Sequence, residues 1–227
     1  MIEIIATTVE DALKVEKSGA DRIELVSALS EGGLTPSYGM IEEVVNCVSI
    51  PVNVMIRPHA KSFYYTRQDI EVMKKDIAMV KNLKANGVVF GTLTNDQKNV
   101  DEKILNELLN ESTGLEVTFH RAIDEIDPLQ ALKVLTKYPQ ITNILTSGGN
   151  RPVKENIDIL NAMIVNRKHI NILIGGGLTK ENICNIMKAV ETSQYHLGTS
   201  VRTRKSAFAG INMKQLTEII NIIKINL

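Results

Sequence analysis

Residues 1–25 read MIEIIATTVEDALKVEKSGADRIEL. Ile2–Ala6 is a short apolar, β-branched run, and a helical pattern follows over Val9–Ser18. Thr8 precedes that pattern with Asp11 three residues on, so its side chain predicts a cap for amides that the first turn leaves free. Gly19 then offers a left-handed residue at low cost. Arg22–Leu25 begins a second strand. A strand, a helix and another strand make a unit whose right-handed crossover leaves the two strands parallel.

The unit recurs along the whole chain. Further strands are read at Val52–Ile56, Val88–Gly91, Glu116–His120, Asn143–Thr146, Asn171–Gly175 and Tyr195–Leu197. Helices are read at Ser37–Cys47, Gln68–Asn82, Asp101–Asn110, Pro128–Lys137, Val153–Arg167, Thr179–Ala189 and Ile211–Lys224. Thr179 is expected to cap the seventh helix, and Gly87 and Gly114 to turn between helix and strand as Gly19 does. Eight such repeats in 227 residues favour an α/β fold of the (β/α)₈ TIM-barrel type. The rival is a doubly wound sheet, but Ala6-Thr7-Thr8 follows the first strand where a G-x-G-x-x-G would stand. With no linker-like stretch, residues 1–227 read as one domain, with repeats over 1–197 and a C-terminal loop and helix over 198–227.

Composition narrows the function. Lys+Arg and Asp+Glu both number 26, so the chain lacks the positive excess that nucleic-acid or membrane-surface binding needs. Aromatic content of 4% without Trp argues against a base-stacking platform. Two cysteines, Cys47 and Cys184, exclude a disulfide framework and a four-cysteine zinc site. The opening residues show no signal peptide or spanning run, so a cytoplasmic setting is expected.

Strand alternation then predicts what faces the barrel axis. If Val52, Val54 and Ile56 pack on helices, then Asn53, Met55 and Arg57 point inward. The same logic turns Glu3, Ile5, Arg22, Glu24, Thr118, His120 and His196 inward. Barrel interiors are usually filled by Val, Ile and Leu, so this charge is unusual. It reads either as a structural ion-pair network, for example Glu24 with Arg57, or as a site.

Six segments in order, GADRIELVSALSEGGLTPS (19–37), IPVNVMIRP (50–58), NGVVFGTLT (86–94), VTFHRAID (117–124), ILTSGG (144–149) and ILIGGGL (172–178), resemble the copper homeostasis protein CutC family over roughly residues 1–204. The resemblance implies a (β/α)₈ barrel, a cytoplasmic location, self-association as dimers or tetramers, and a role in copper homeostasis. It also implies that copper-binding relatives use two cysteines as Cu(I) ligands, at the positions held here by Ile5 and Val26. Neither side chain offers the soft donor that Cu(I) prefers. Copper(I) as a cofactor therefore enters through the resemblance alone, and no metal ligand is assigned. Cys47 and Cys184 fall on helices without C-x-x-C spacing and read as small apolar residues. A mixed site of Met55, His120 and His196 is the remaining soft-donor option.

The rim offers a second reading. Glu24 and His120 supply acid–base groups, and Arg57 a clamp for a carboxylate or phosphate. Arg121 follows His120, and Glu31 lies in a glycine-bearing loop. Ser147 and Gly148 end the sixth repeat's strand, Gly175, Gly176 and Gly177 the seventh's, and Gly198 and Thr199 the eighth's. Barrels often bind anions in the loops after strands seven and eight, so these are the expected anion-binding residues. Arg202 and Arg204 add positive charge or face solvent or a partner subunit. H-x-H, H-E-x-x-H and G-x-S-x-G spacings are absent, and no Lys sits inside a strand for Schiff-base chemistry. Three functions stand: a copper-homeostasis barrel, a lyase- or isomerase-type enzyme on a small phosphorylated or carboxylated metabolite, and a non-catalytic binding barrel. The expected partners are a small anionic molecule and further copies of the chain.

Overall fold

A computed structural model describes residues 1–227. Eight parallel strands close into a barrel in sequence order: β1 (Ile2–Ala6), β2 (Arg22–Leu25), β3 (Val52–Met55), β4 (Gly87–Phe90), β5 (Glu116–Phe119), β6 (Ile141–Thr146), β7 (Asn171–Ile174) and β8 (Tyr195–Leu197). Closure comes from β8 pairing with β1 through Ile2–Tyr195, Glu3–His196 and Ile4–Leu197. Around it run α1 (Val9–Lys17), α2 (Tyr38–Cys47), α3 (Arg67–Asn82), α4 (Glu102–Glu111), α5 (Pro128–Leu135), α6 (Ile157–Asn166), α7 (Ile183–Ala189) and α8 (Met213–Asn226). No helix is long and apolar enough to cross a membrane.

The caps explain where several helices begin. Thr8 accepts from the Asp11 amide, Ser37 from that of Met40 and Asp101 from that of Ile104. Thr66 and Asp69 form a reciprocal capping box at the head of α3. The main core lies between the strands and the helices: Ile4, Ile23, Val54, Val88, Phe119 and Ile172 point outward against residues such as Ile70, Met73 and Ile77 of α3. A separate apolar set, Ile5, Val26, Met55 and Val89, packs inside the barrel. Glu3, Arg22, Glu24, Asn53, His120 and His196 are buried. The expected alternation of faces therefore holds.

Four local expectations are corrected. Gly19 and Gly114 have positive φ, but Gly87 is the first residue of β4. A Cβ there would lie 2.6 Å from the Glu116 carbonyl oxygen and 2.7 Å from Asn53 Oδ1, so Gly87 answers crowding in the lumen, not a turn. Thr179 does not cap α7; Asn182 precedes that helix and accepts the Thr179 amide. The segment read as one helix over 153–167 is a 3₁₀ turn (Val153–Glu155) and then α6, because Asn156 bends to donate to the Ser147 and Arg151 carbonyls. Arg202 faces neither solvent nor a partner. It is 1% exposed, pairs with Asp11 at 2.9 Å and donates to the carbonyls of Ala209 and Ile5. That arrangement pins the segment after β8 to the end of β1.

Candidate active site

A cavity of about 370 Å³ opens at the C-terminal ends of the strands. Glu24, Glu31, Arg57, Phe63, His120, Arg121, Glu125 and His196 contribute its charged and aromatic lining, with Ile5, Leu29, Met55 and Leu145 as the apolar part.

Glu24, from β2, is 2% exposed. Its Oε2 lies 3.6 Å from His196 Nε2 of β8, and its Oε1 has no partner. His196 Nδ1 lies 2.8 Å from Glu3 Oε1 of β1. The strand order makes this possible, because Glu3 is in register with both Arg22 and His196. Burial raises the Glu24 carboxyl from the ordinary 4.5 to about 7; Glu3 adds to the rise, and His196 and Arg22 moderate it. Burial alone would strip the proton from His196, but the facing Glu24 and Glu3 carboxylates reverse this and hold its proton affinity above the usual value. For Glu3 the cost of burial is outweighed by Arg22 and His196, which keep it ionised.

His120, just past β5, is 4% exposed. Its Nδ1 accepts the Ala122 amide at 3.2 Å, so the ring proton sits on Nε2, which has no partner. Burial, then the nearby Arg57 charge, push its pKa down to about 3. His120 is therefore a neutral N–H donor at any physiological pH. Gly91 makes room for the ring, since a Cβ there would lie 2.6 Å from His120 Nδ1.

Arg57 does not pair with Glu24, the example given for the ion-pair alternative. Its Nη1 donates to the carbonyls of Glu31 (2.8 Å) and Gly33 (3.1 Å). The loop after β2 folds back beneath the guanidinium, with left-handed residues at Ala28, Gly32 and Gly33. Phe63 lies 4.7 Å from the guanidinium carbon and meets the His120 ring edge-on at 4.9 Å. Arg57 Nε is buried without a partner. The guanidinium is held in place but its charge is not neutralised by a carboxylate.

The expected anion-binding residues divide. Arg121, Gly176, Gly177, Gly198 and Thr199 line the cavity, as does Glu31. A smaller contiguous recess of about 90 Å³ adds Thr179, Ser200 and Lys205, and the buried Ser200 Oγ has no partner. Ser147 and Gly148 are not part of the lining. Asp124 accepts the Ser147 amide and hydroxyl, and Gly148 donates to Thr146 Oγ1. Gly175 lies beneath, where a Cβ would meet Leu145 Cδ1 at 2.7 Å. Phe63 was missed because it sits in an irregular loop. The Glu3–His196 pair was legible only as two inward-facing residues.

These features define the class: a (β/α)₈ barrel with an ionisable cavity at its C-terminal mouth. The CutC family model matches residues 1–201, and the chain belongs to that family. It is 40% identical over 198 residues to the human copper homeostasis protein cutC homolog, covering 86% of this chain and 72% of the relative. It is 37% identical over 212 residues to the CutC family protein of Histophilus somni, covering 92% and 86%. The crystal structure of the CutC protein from Streptococcus agalactiae superposes with a TM-score of 0.81 at 32% identity, over 87% of this chain and 97% of that one. Phosphoribosyl anthranilate isomerase from Thermococcus kodakaraensis shares the fold at a TM-score of 0.65 and 17% identity, over 98% of each chain.

Ile5 and Val26 meet inside the barrel with Met55 and Val89, an apolar set with one thioether. Cys47 and Cys184 sit on α2 and α7. The chain's residues do not fit a thiolate Cu(I) site.

Proposed function

We propose that this CutC-family barrel is an enzyme of the isomerase or lyase kind. It moves a proton on a small carbonyl compound that carries a phosphate or carboxylate. One observation carries the reading: a carboxyl titrating near 7, a neutral imidazole and a guanidinium that no carboxylate neutralises, those of Glu24, His120 and Arg57, line one cavity. A proton acceptor, an N–H donor and a positive charge gathered in one cleft are the groups that proton transfer next to a carbonyl needs.

The roles follow from the chemistry. Glu24, with a pKa near 7, is suited to take and return a proton at neutral pH. Neutral His120 and cationic Arg57 offer N–H groups to an oxygen that gains negative charge as the carbon loses its proton. A carboxylate base with a neutral imidazole electrophile is an established pairing for enolisation. Arg121, Gly176, Gly177, Gly198 and Thr199, with Ser200 and Lys205 in the side recess, suit the anionic end. A role in copper homeostasis, which the names of the relatives carry, would then act through this reaction and not through thiolate chelation. The two unpaired thiols suit a cytosolic setting, and a homo-oligomer is the expected assembly.

The test is a thermal-shift screen of phosphorylated and carboxylated carbonyl metabolites on wild type and Arg57→Ala. A compound that raises the wild-type Tm and leaves Arg57→Ala unmoved is expected. Equal stabilisation of both, or none of either, would remove the anion clamp and the proposal with it.

A further inference from the structure

We infer that Arg22 and Glu116, at the end of the barrel opposite the cavity, are positioning residues that fix where the proton sits on His196 and so set the charge carried by Glu24. The inference deepens the acid–base reading of Glu24 and rests on it.

A continuous line of polar groups runs through the lumen. Glu116, at the start of β5, has a side chain 43% exposed and accepts from Arg22 Nη1 at 3.1 Å. Arg22, at the start of β2 and 6% exposed, donates through Nε to Glu3 Oε2. Glu3 is wholly buried and turns its other oxygen to His196 Nδ1. His196 Nε2 faces Glu24 Oε2 at 3.6 Å, and Glu24 lines the cavity. Four strands, β5, β2, β1 and β8, thus join one solvent-exposed carboxylate to the candidate base.

Each link constrains the next. A buried carboxylate between a guanidinium and an imidazole stays ionised and can only accept. Glu3 therefore requires the proton on His196 Nδ1. That leaves Nε2 turned to Glu24 Oε2 at 3.6 Å, longer than a hydrogen bond, so the two groups act on each other through charge. The lumen has been cleared for the line: a Cβ on Gly87 would lie 2.9 Å from Glu116 Cβ and 2.7 Å from Asn53 Oδ1. The charged groups acting on the His196–Glu24 pair are Glu3 from β1, Arg22 from β2 and Arg121 from the turn after β5. Of these, Arg22 is tied to the far end, through Glu116.

The signs follow. Arg22 favours ionised Glu24, so removing its charge makes Glu24 hold its proton more tightly. Removing the Glu116 charge does the reverse, because the network loses a negative group. A residue that only supports folding would move stability and leave this titration in place.

The experiment follows the Glu24 carboxyl by ¹³C NMR and the His196 ring by ¹⁵N NMR across pH, in wild type, Arg22→Gln, Arg22→Lys and Glu116→Gln. Arg22→Gln is expected to raise the Glu24 midpoint by about one pH unit, a tenfold tighter hold on the proton. Arg22→Lys should restore it, and Glu116→Gln should lower it by a few tenths of a unit. His196 should keep its proton on Nδ1 wherever Glu3 remains ionised. If Arg22→Gln does not fold, Glu116→Gln, whose own side chain is 43% exposed, carries the test. An unmoved midpoint in folded Arg22→Gln, or in Glu116→Gln when it stands alone, overturns the inference, as does a wild-type His196 protonated on Nε2 alone. The readout needs no substrate. A relay that responds as described in a protein that processes no carbonyl compound would sink the proposed reaction and leave the relay standing.

Discussion

Replacing Glu24 by Gln should make the protein more stable at alkaline pH. The folded Glu24 carboxyl titrates near 7, against 4.5 when unfolded, and the residue is 2% exposed. Because the folded value is the higher, the protonated group's stability is fully present below pH 4.5. It is lost as pH rises from there through about 7. Each pH unit between the two values corresponds to about 1.4 kcal/mol, so the carboxylate costs about 3 kcal/mol once both states are ionised. Glutamine keeps the shape and cannot ionise. Urea denaturation of wild type and Glu24→Gln at half-unit steps from pH 4.5 to 8 gives the comparison. The two should agree near pH 4.5 and diverge until the variant is about 3 kcal/mol more stable at pH 8. A difference that stays flat across this window refutes the reasoning, since burial would then not be holding the proton on Glu24. A stabilising substitution at the candidate base is also the signature expected of a site that trades stability for chemistry.

Other substitutions test other joints. Asp11→Asn or Arg202→Met leaves one member of a buried pair uncompensated and should cost about 3–5 kcal/mol in urea denaturation; a loss below about 1 kcal/mol would show that the pair does not hold the segment after β8. Gly87→Ala should cost about 1–3 kcal/mol through overpacking, read as a lower denaturation midpoint, and a neutral result would mean that the lumen has slack. His120 should show a proton on Nε2 and no titration between pH 5 and 8 in ¹⁵N spectra, in keeping with its value near 3. In an anaerobic competition titration, wild type should take up no tightly held stoichiometric Cu(I), whereas Ile5→Cys/Val26→Cys, which puts two thiols into one lumenal cluster, should gain a site.

The barrel was readable because its signals are local: apolar runs of strand length, caps such as Thr8, and turns such as Gly19 and Gly114. Period-two alternation also placed Glu24, His120 and His196 on the inner face. Pairing inside the lumen was not readable. Glu24 meets His196 and not Arg57 because β8 closes on β1, which brings a residue from the end of the chain beside one from its start. Arg57 is claimed by carbonyls of a loop whose path depends on left-handed backbone at Ala28, Gly32 and Gly33. Ser147 and Gly148 carry the composition of an anion loop, but Asp124 and Thr146 use their donors. The spacing of Arg121 and Asp124 was visible, whereas Asp124's hold on Thr146 and Ser147 across to β6 depends on strand pairing.

In the proposed reaction Glu24 moves a proton on a bound carbonyl compound while Arg57 and His120 hold its oxygen. Incubation in D₂O with the compounds selected by thermal shift, followed by ¹H NMR, tests it directly. Wild type should replace a hydrogen next to the carbonyl by deuterium, and Glu24→Gln should slow that replacement by at least about a hundredfold, as expected for loss of a general base. Exchange that continues undiminished in Glu24→Gln, or none in the wild type with a compound that it demonstrably binds, would contradict the account.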